Sequence, residues 1–173
     1  MNALFVDRRI MAFDGLDLRG KKVLDIGGYH GEMARYALDL GARSAICLDN
    51  AQYRRYQKPW EHPKPLPGVI YERGDFRKWR DGADIVVFSN VIYHVPSPWD
   101  AFVHLRKVTR EYLSVQTNVI SASDPVWLLN HEGDPTIFFR PSLSGLLLLL
   151  QRTGFHRQRV VGFYDDHVAV QAW

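Results

Sequence analysis

Three acidic residues and a pair of spaced glycines carry the first chemical signal in this chain. Asp25, Gly27 and Gly31 stand in the stretch VLDIGGYHG, a D-x-G-x-x-x-G spacing. Apolar residues run into the glycines and a helical pattern follows at once, which is how a chain brings backbone N–H groups against a ligand. A dinucleotide loop needs G-x-G-x-x-G, so that the backbone can press on a pyrophosphate at the helix start. A carboxylate just ahead of the glycine turn is a poor neighbour for pyrophosphate. It suits a ligand that carries an ammonium or sulfonium group, because opposite charges attract at short range. Two further acids fall where a nucleoside needs them. Asp49 ends the next apolar run, in CLDN, where an acid accepts hydrogen bonds from ribose hydroxyls. Asp75, in RGDF, can accept from an adenine amino group, with Phe76 covering the ring. Plainer readings exist for both, Asp49 as a turn former and Asp75 as a helix N-cap. Three acids after three successive strands favour the nucleoside.

Positioning those acids requires alternating strands and helices. Residues 21–28 read as a buried strand and 31–41 as a helix ended by Gly41. Residues 44–50 form a second strand, followed by a short helix within 53–60 and a Pro-rich loop over 59–67. Strands follow at 68–75 and 83–92, the latter continuous and β-branched, as a strand buried on both faces should be. Ser97 then caps a helix that starts at Pro98 and buries Ala101, Phe102, Leu105 and Val108. A fifth strand covers 111–120, a helix with a Pro start and a Gly stop covers 140–155, and two strands at 156–164 and 167–173 close a hairpin. The expected fold is α/β: a Rossmann-like, doubly wound, mostly parallel seven-stranded sheet with an antiparallel C-terminal strand. One domain spans residues 1–173. The long irregular stretch 121–139 is expected to be functional or mobile.

These stretches together resemble the class I S-adenosylmethionine-dependent methyltransferases. The resemblance rests on VLDIGGYHG, CLDN, GDF and DIVVFSNVIYHVPSPWDAF, and on the antiparallel final strand. It implies S-adenosyl-L-methionine as cofactor. It places Asp25, Gly27, Gly28, Tyr29 and Gly31 at the methionine end, Asp49 and Asn50 at the ribose, Asp75 and Phe76 at the adenine, and Asn90 beside the methyl group. Gly28-Tyr29-His30 departs from the small residues common there. A narrower resemblance, carried by FSNVIYHVPSPWDAF and FFRPSLSGLLLLLQRTGF, is to the tRNA wobble-uridine carboxymethyltransferases. Those enzymes carry a long N-terminal region that this sequence is expected to lack, and no cationic residue here matches their carboxylated cofactor. The fold and cofactor class carry over; the acceptor does not.

Methyl transfer from a sulfonium is an in-line displacement in which an enzyme positions the nucleophile and takes its proton where needed. The family places the segment from Asn90 to His94 at the methyl group. His94 is the candidate general base, with Tyr93 shaping the acceptor pocket; the alternative is that His94 fixes the loop through a backbone hydrogen bond. Arg140 could hold a substrate carboxylate or phosphate, or be a surface residue at the start of the last helix. Trp127 and His131 are candidates for a lid over the acceptor, and no residues show metal-ligand spacing. The rival readings are an NAD-dependent oxidoreductase and a non-catalytic cofactor-binding subunit of a complex.

Composition bounds the partners. With 46% hydrophobic and 24% charged residues the chain is of ordinary globular type. No apolar run is long enough for a membrane span and the N-terminal stretch has no signal-peptide pattern. The single Cys47 excludes an intrachain disulfide and suits a reducing cytosol, so a cytoplasmic location is expected. A net charge of +3 permits a nucleic-acid partner without requiring one. Basic residues interleaved with Tyr53, Tyr56 and Trp60 could stack bases, or form a solvated loop. The acceptor is a small molecule, a nucleoside or RNA.

Overall fold

The structure is a computed structural model that describes residues 8–50, 65–129 and 135–173. The helix expected within 53–60, the aromatic residues of the basic stretch, and His131 lie outside those residues.

The apolar runs of the sequence become the strands of one sheet. They are β1 (Lys22–Ile26), β2 (Ser44–Asp49), β3 (Val69–Arg73), β4 (Ala83–Ser89), β5 (Thr109–Asn118), β8 (Gln158–Tyr164) and β9 (His167–Ala172). Between β5 and β8 lie two short strands, β6 (Trp127–Leu129) and β7 (Phe139–Pro141), which pair antiparallel with each other in a separate ladder. The main sheet runs β3-β2-β1-β4-β5-β9-β8. The first five strands are mutually parallel, and β9 runs against both β5 and β8. This is the expected architecture, including the antiparallel last strand.

Alternation along each strand feeds two apolar layers. Leu24, Ile46, Leu48, Val86, Phe88, Leu113 and Val115 point to one face, where they meet α3 (Pro98–Val108) and α4 (Leu143–Arg152). Val23, Ala45, Cys47, Ile85 and Val87 point to the other, under α1 (Arg8–Phe13) and α2 (Glu32–Asp39). Helices on both faces leave no room for a polar strand face, which is why β1, β2 and β4 are almost wholly buried. Strand order reverses between β1 and β4, so the crevice beyond their carboxyl ends is where such a sheet takes a ligand.

The sequence signals at α3 hold: Ser97 accepts the Asp100 N–H, Pro98 opens the helix, and the four expected apolar residues are buried. Several elements differ from expectation, the fifth strand among them, which runs Thr109–Asn118 rather than 111–120. α1 falls ahead of the first element read from the sequence; six residues carry too little periodicity to be read. The fourth strand stops at Ser89 rather than at Ile92, because Asn90 takes a left-handed backbone (φ 58°) and residues Ile92–His94 form a 3₁₀ turn. The last helix begins at Leu143, not at Pro141. Pro141 lies in β7, and Ser142 is the cap whose hydroxyl accepts the Gly145 N–H. Among the described residues no helix is long and apolar enough to cross a membrane.

Candidate functional site

The glycine loop owes its shape to packing against its own neighbours. Gly27 and Gly31 take positive φ (70° and 76°), which glycine adopts without steric cost. A Cβ on Gly27 would fall 2.4 Å from Val91, and one on Gly31 would fall 2.7 Å from the Tyr71 hydroxyl. A Cβ on Gly28 would meet Asp25 Oδ2 at 2.3 Å and Cys47 Sγ at 2.8 Å. The loop is therefore pressed down on β1, β2 and β3, with its outer surface left to a ligand. Tyr29, at its tip, holds φ 46° without being glycine, and its ring stands edge-on to His30 at 3.9 Å. A non-glycine residue in that region stores backbone strain, which gathers at functional sites.

Asp25, expected at the methionine end, is buried beneath the glycine loop. Its position in β1 turns the side chain toward α2, and only 1% of the residue is exposed. The N-cap position of α2 is Gly31, which has no side chain to cap with. Asp25 supplies the missing acceptor from the neighbouring strand, taking the backbone N–H of Ala34. Its Oδ2 has no hydrogen-bond partner. Burial pushes its carboxyl up to about 7, against the Ala34 hydrogen bond, with the charge of Asp49 adding to the rise. A cation arriving above the loop would draw that value back down.

Asp49 and Tyr29 connect the second strand to the loop, since the Tyr29 N–H donates to Asp49 Oδ2 at 3.2 Å. Asn50 follows at the exposed strand end. Asp75 is a cap, as one of its two readings had it: its carboxylate accepts the Arg77 N–H and grips the Arg77 guanidinium at 2.6–3.0 Å. The Arg77 contacts hold the carboxyl below its usual range. An adenine amino group would share that carboxylate with Arg77. Phe76 packs on Phe88 at 5.3 Å and toward His104 at 6.2 Å, and stays half-exposed. Tyr71, which sequence reasoning passed over, braces the loop from β3. Its hydroxyl donates to the His30 carbonyl at 2.9 Å and accepts from the Leu66 N–H at 3.1 Å. Only an aromatic hydroxyl in an otherwise ordinary strand signalled it.

The acceptor candidates meet on the other side of the switch point. His94 Nδ1 lies 2.9 Å from the Thr136 carbonyl, which can only accept, so Nδ1 carries the hydrogen and Nε2 the lone pair of the neutral ring. The Phe138 N–H donates to the Tyr93 carbonyl at 2.7 Å. These two bonds hold residues 136–138 against the Tyr93–His94 turn. Trp127 donates from Nε1 to the Gly145 carbonyl and packs on Phe139 at 6.5 Å. Arg140 pairs with Leu128, on the opposite face of the ladder from Trp127, and keeps a buried Nε with no partner. Residues 136–138 thus bring the Tyr93–His94 turn up to β7, while Trp127 and Arg140 stand on opposite faces of the β6–β7 ladder.

The mostly parallel sheet, with its switch point between β1 and β4 beside the glycine loop, defines a doubly wound α/β protein. The chain belongs to the methyltransferase domain family, whose model matches residues 3–157. It is 30% identical over 160 residues to a tRNA U34 carboxymethyltransferase of Pseudomonas fluorescens, covering 84% of this chain and 49% of that protein. It is 34% identical over 101 residues to an uncharacterized methyltransferase of Mycobacteroides abscessus, covering 56% of this chain and 39% of that one. The chain spans about half the length of the curated tRNA-enzyme relatives it matches. Among solved structures, it superposes on human N-acetylserotonin methyltransferase in complex with S-adenosylmethionine with a TM-score of 0.69. That match has 14% identity, over 95% of this chain and 50% of that one. A methyltransferase from Mesorhizobium loti matches at TM-score 0.64 and 17% identity, over 90% and 92% of the two chains.

Proposed function

We propose that this chain binds S-adenosylmethionine across the carboxyl ends of β1, β2 and β3 and transfers its methyl group to an acceptor held by the β6–β7 hairpin. The observation that carries the reading is the linked pair of Asp49 and the glycine loop. Asp49, at the end of β2 where a ribose would meet it, already accepts a hydrogen bond from the loop that would hold the methionine end. The residues fit the cofactor: a loop closed from below leaves its upper face to a ligand, and the buried, orphaned Asp25 oxygen favours a cation there. Bound at this edge, the sulfonium supplies an electrophilic methyl group. Gly27, Gly28, Tyr29 and Gly31 shape the methionine end, Asp49 and Asn50 the ribose, and Asp75 and Phe76 the adenine. Asn90, in its left-handed conformation, turns the chain toward the acceptor.

His94 acts chiefly as a positioning residue, because its Nδ1–H is committed to the segment that closes over Tyr93. Arg140 supplies a guanidinium for a carboxylate or phosphate of the acceptor, its buried Nε being a donor in want of an acceptor. RNA is the first acceptor class to test, since seven curated relatives are named tRNA U34 carboxymethyltransferases. The test is transfer of a labelled methyl group from S-adenosylmethionine to total tRNA, nucleosides and small organic acids in parallel. Label in any acceptor, lost when Asp49→Ala is substituted, supports the reading. Tight S-adenosylhomocysteine binding without turnover of any acceptor would favour a non-catalytic cofactor-binding subunit instead.

A further inference from the structure

β8 is the last strand on one side of the main sheet, and among the described residues no strand lies beyond it. An open edge presents a row of backbone donors and acceptors to any strand that can pair with it. The groups that face outward follow from the ladder. Arg157 and Trp173 exchange both N–H···O bonds, at 3.1 and 2.9 Å, so Arg157 turns its backbone toward the β9 side. In an antiparallel ladder such pairs alternate with pairs whose backbone points away, so Gln158 and Val160 offer their N–H and C=O groups outward. Counting back from the two-residue turn at Asp165 and Asp166, Tyr164 faces inward and Phe163 outward. The register shift between Val160 and Gly162 accounts for the odd spacing of the outward residues.

The side chains along this edge leave it open. Val160 and Phe163 stand opposite Val170 and Val168, on the face that carries α3 and α4, and are 38% and 57% exposed. Both residue types favour strands. Arg159 would guard the edge with a charge, but its guanidinium folds back to Asp14 Oδ2 and Gln171 Oε1, each at 2.9 Å. Gly162 lies under Met11 of α1, where a Cβ would come within 2.8 Å of Met11 Cε. The α1 face of the strand is therefore occupied. What stays open is the outward backbone, with Val160 and Phe163 beside it.

Charge decides the occupant. His156 and Arg157 precede the strand and Asp165 and Asp166 follow it; all four are exposed. The residues from Val160 to Tyr164 between them carry no charge. A strand whose order is basic, apolar, acidic is complementary to a second copy of itself laid antiparallel and repels one laid parallel. With Val160 of one chain opposite Phe163 of the other, outward backbone meets outward backbone and Arg157 falls opposite Asp166. Within its own chain Asp166 lies 2.7 Å from His167 Nδ1, and Arg157 is in no ion pair among the described residues. A two-fold axis repeats each contact, so the pairing closes instead of growing into a fibre.

We propose that this chain forms a two-fold symmetric dimer by antiparallel pairing of the outer edges of β8, which joins two seven-stranded sheets into one. The glycine loop serves β1, β2 and β3 in the other half of the sheet, so the dimer does not depend on the cofactor reading.

A strand-edge contact is at the small end of stable interfaces, so sedimentation equilibrium of the full chain without ligand runs from about 1 µM to about 1 mM. A monomer–dimer equilibrium is expected, and amide hydrogen exchange at Gln158, Val160 and Phe163 should slow as concentration rises. Phe163→Lys, at an exposed position outside the core, should weaken the dimer by about tenfold or more. Arg157→Asp alone should weaken it about threefold to thirtyfold, because the two-fold axis turns two attractive pairs into repulsive ones. Adding Asp166→Arg to that variant should restore the parent affinity. Circular dichroism checks that each variant is folded, and the exchange measurement on the unsubstituted chain needs no variant. A monomer throughout overturns the proposal and assigns the edge to a strand of another protein. A dimer indifferent to Phe163→Lys, exchange at the three amides that ignores concentration, or a charge reversal that the double variant does not rescue overturns it equally.

Discussion

The buried carboxyl of Asp25 makes cofactor binding and folding both sensitive to pH, in opposite directions. In the folded chain Asp25 holds its proton up to about pH 7, against 3.8 for the free group, because burial penalises the charge. The folded state therefore binds more protons than the unfolded one between those values, and stability falls as pH rises through that window. Three units correspond to about 4 kcal/mol at most. Asp25→Asn keeps the shape and removes the charge. Above pH 8 the variant should be more stable than the parent by up to about 4 kcal/mol, less the cost of an amide placed beneath Gly28. Binding should run the other way. A cationic ligand above the loop favours the ionised carboxyl, which is about one-tenth populated at pH 6 and nine-tenths at pH 8 for a value near 7. The affinity for S-adenosylmethionine should then rise about tenfold between pH 6 and pH 8, with release of a proton. Calorimetry in buffers of different ionisation enthalpy measures both quantities, and urea unfolding across pH measures the first. Equal pH slopes in the parent and Asp25→Asn would refute the reasoning.

Other substitutions test the scaffold around the site. Gly28→Ala drives a Cβ into Asp25 Oδ2 and Cys47 Sγ, so it should cost about 1–3 kcal/mol by urea unfolding and weaken S-adenosylhomocysteine binding in calorimetry. Ser142 accepts from the Gly145 and Val126 N–H groups and donates to the Asp124 carbonyl. Ser142→Ala should cost about 1–2 kcal/mol and expose the β6–β7 hairpin to proteolysis before the main sheet. His94→Ala should raise the acceptor KM and lower kcat by less than about tenfold, whereas loss of a general base typically costs 10²–10⁴.

The sheet was legible because its strands are apolar runs between turn residues, and because two strands without an intervening helix force one of them to reverse. α3 was legible because Ser97, Pro98 and four apolar residues at helical spacing agree with one another. What could not be read was set by contacts between residues distant in sequence. Asp25 sits in a strand next to glycines, and only the packing of α2 shows that its carboxylate turns inward to Ala34. Asp75 looks equally ready for a purine or a cap until Arg77 is seen on it. The β6–β7 hairpin spans only three residues on each side, too few for an alternating pattern to stand out, although it carries Trp127 and Arg140. The charge order around β8 is plain in sequence, but only the strand order puts it on an open edge.

On the proposed function, the carboxyl edge of this sheet holds S-adenosylmethionine. Calorimetric titration of the chain with S-adenosylhomocysteine, and separately with NAD, tests it most directly. One-site binding of S-adenosylhomocysteine, abolished or weakened at least tenfold by Asp49→Ala, with no binding of NAD, is the expected result. Binding of NAD alone, or S-adenosylhomocysteine binding indifferent to Asp49→Ala, would contradict it.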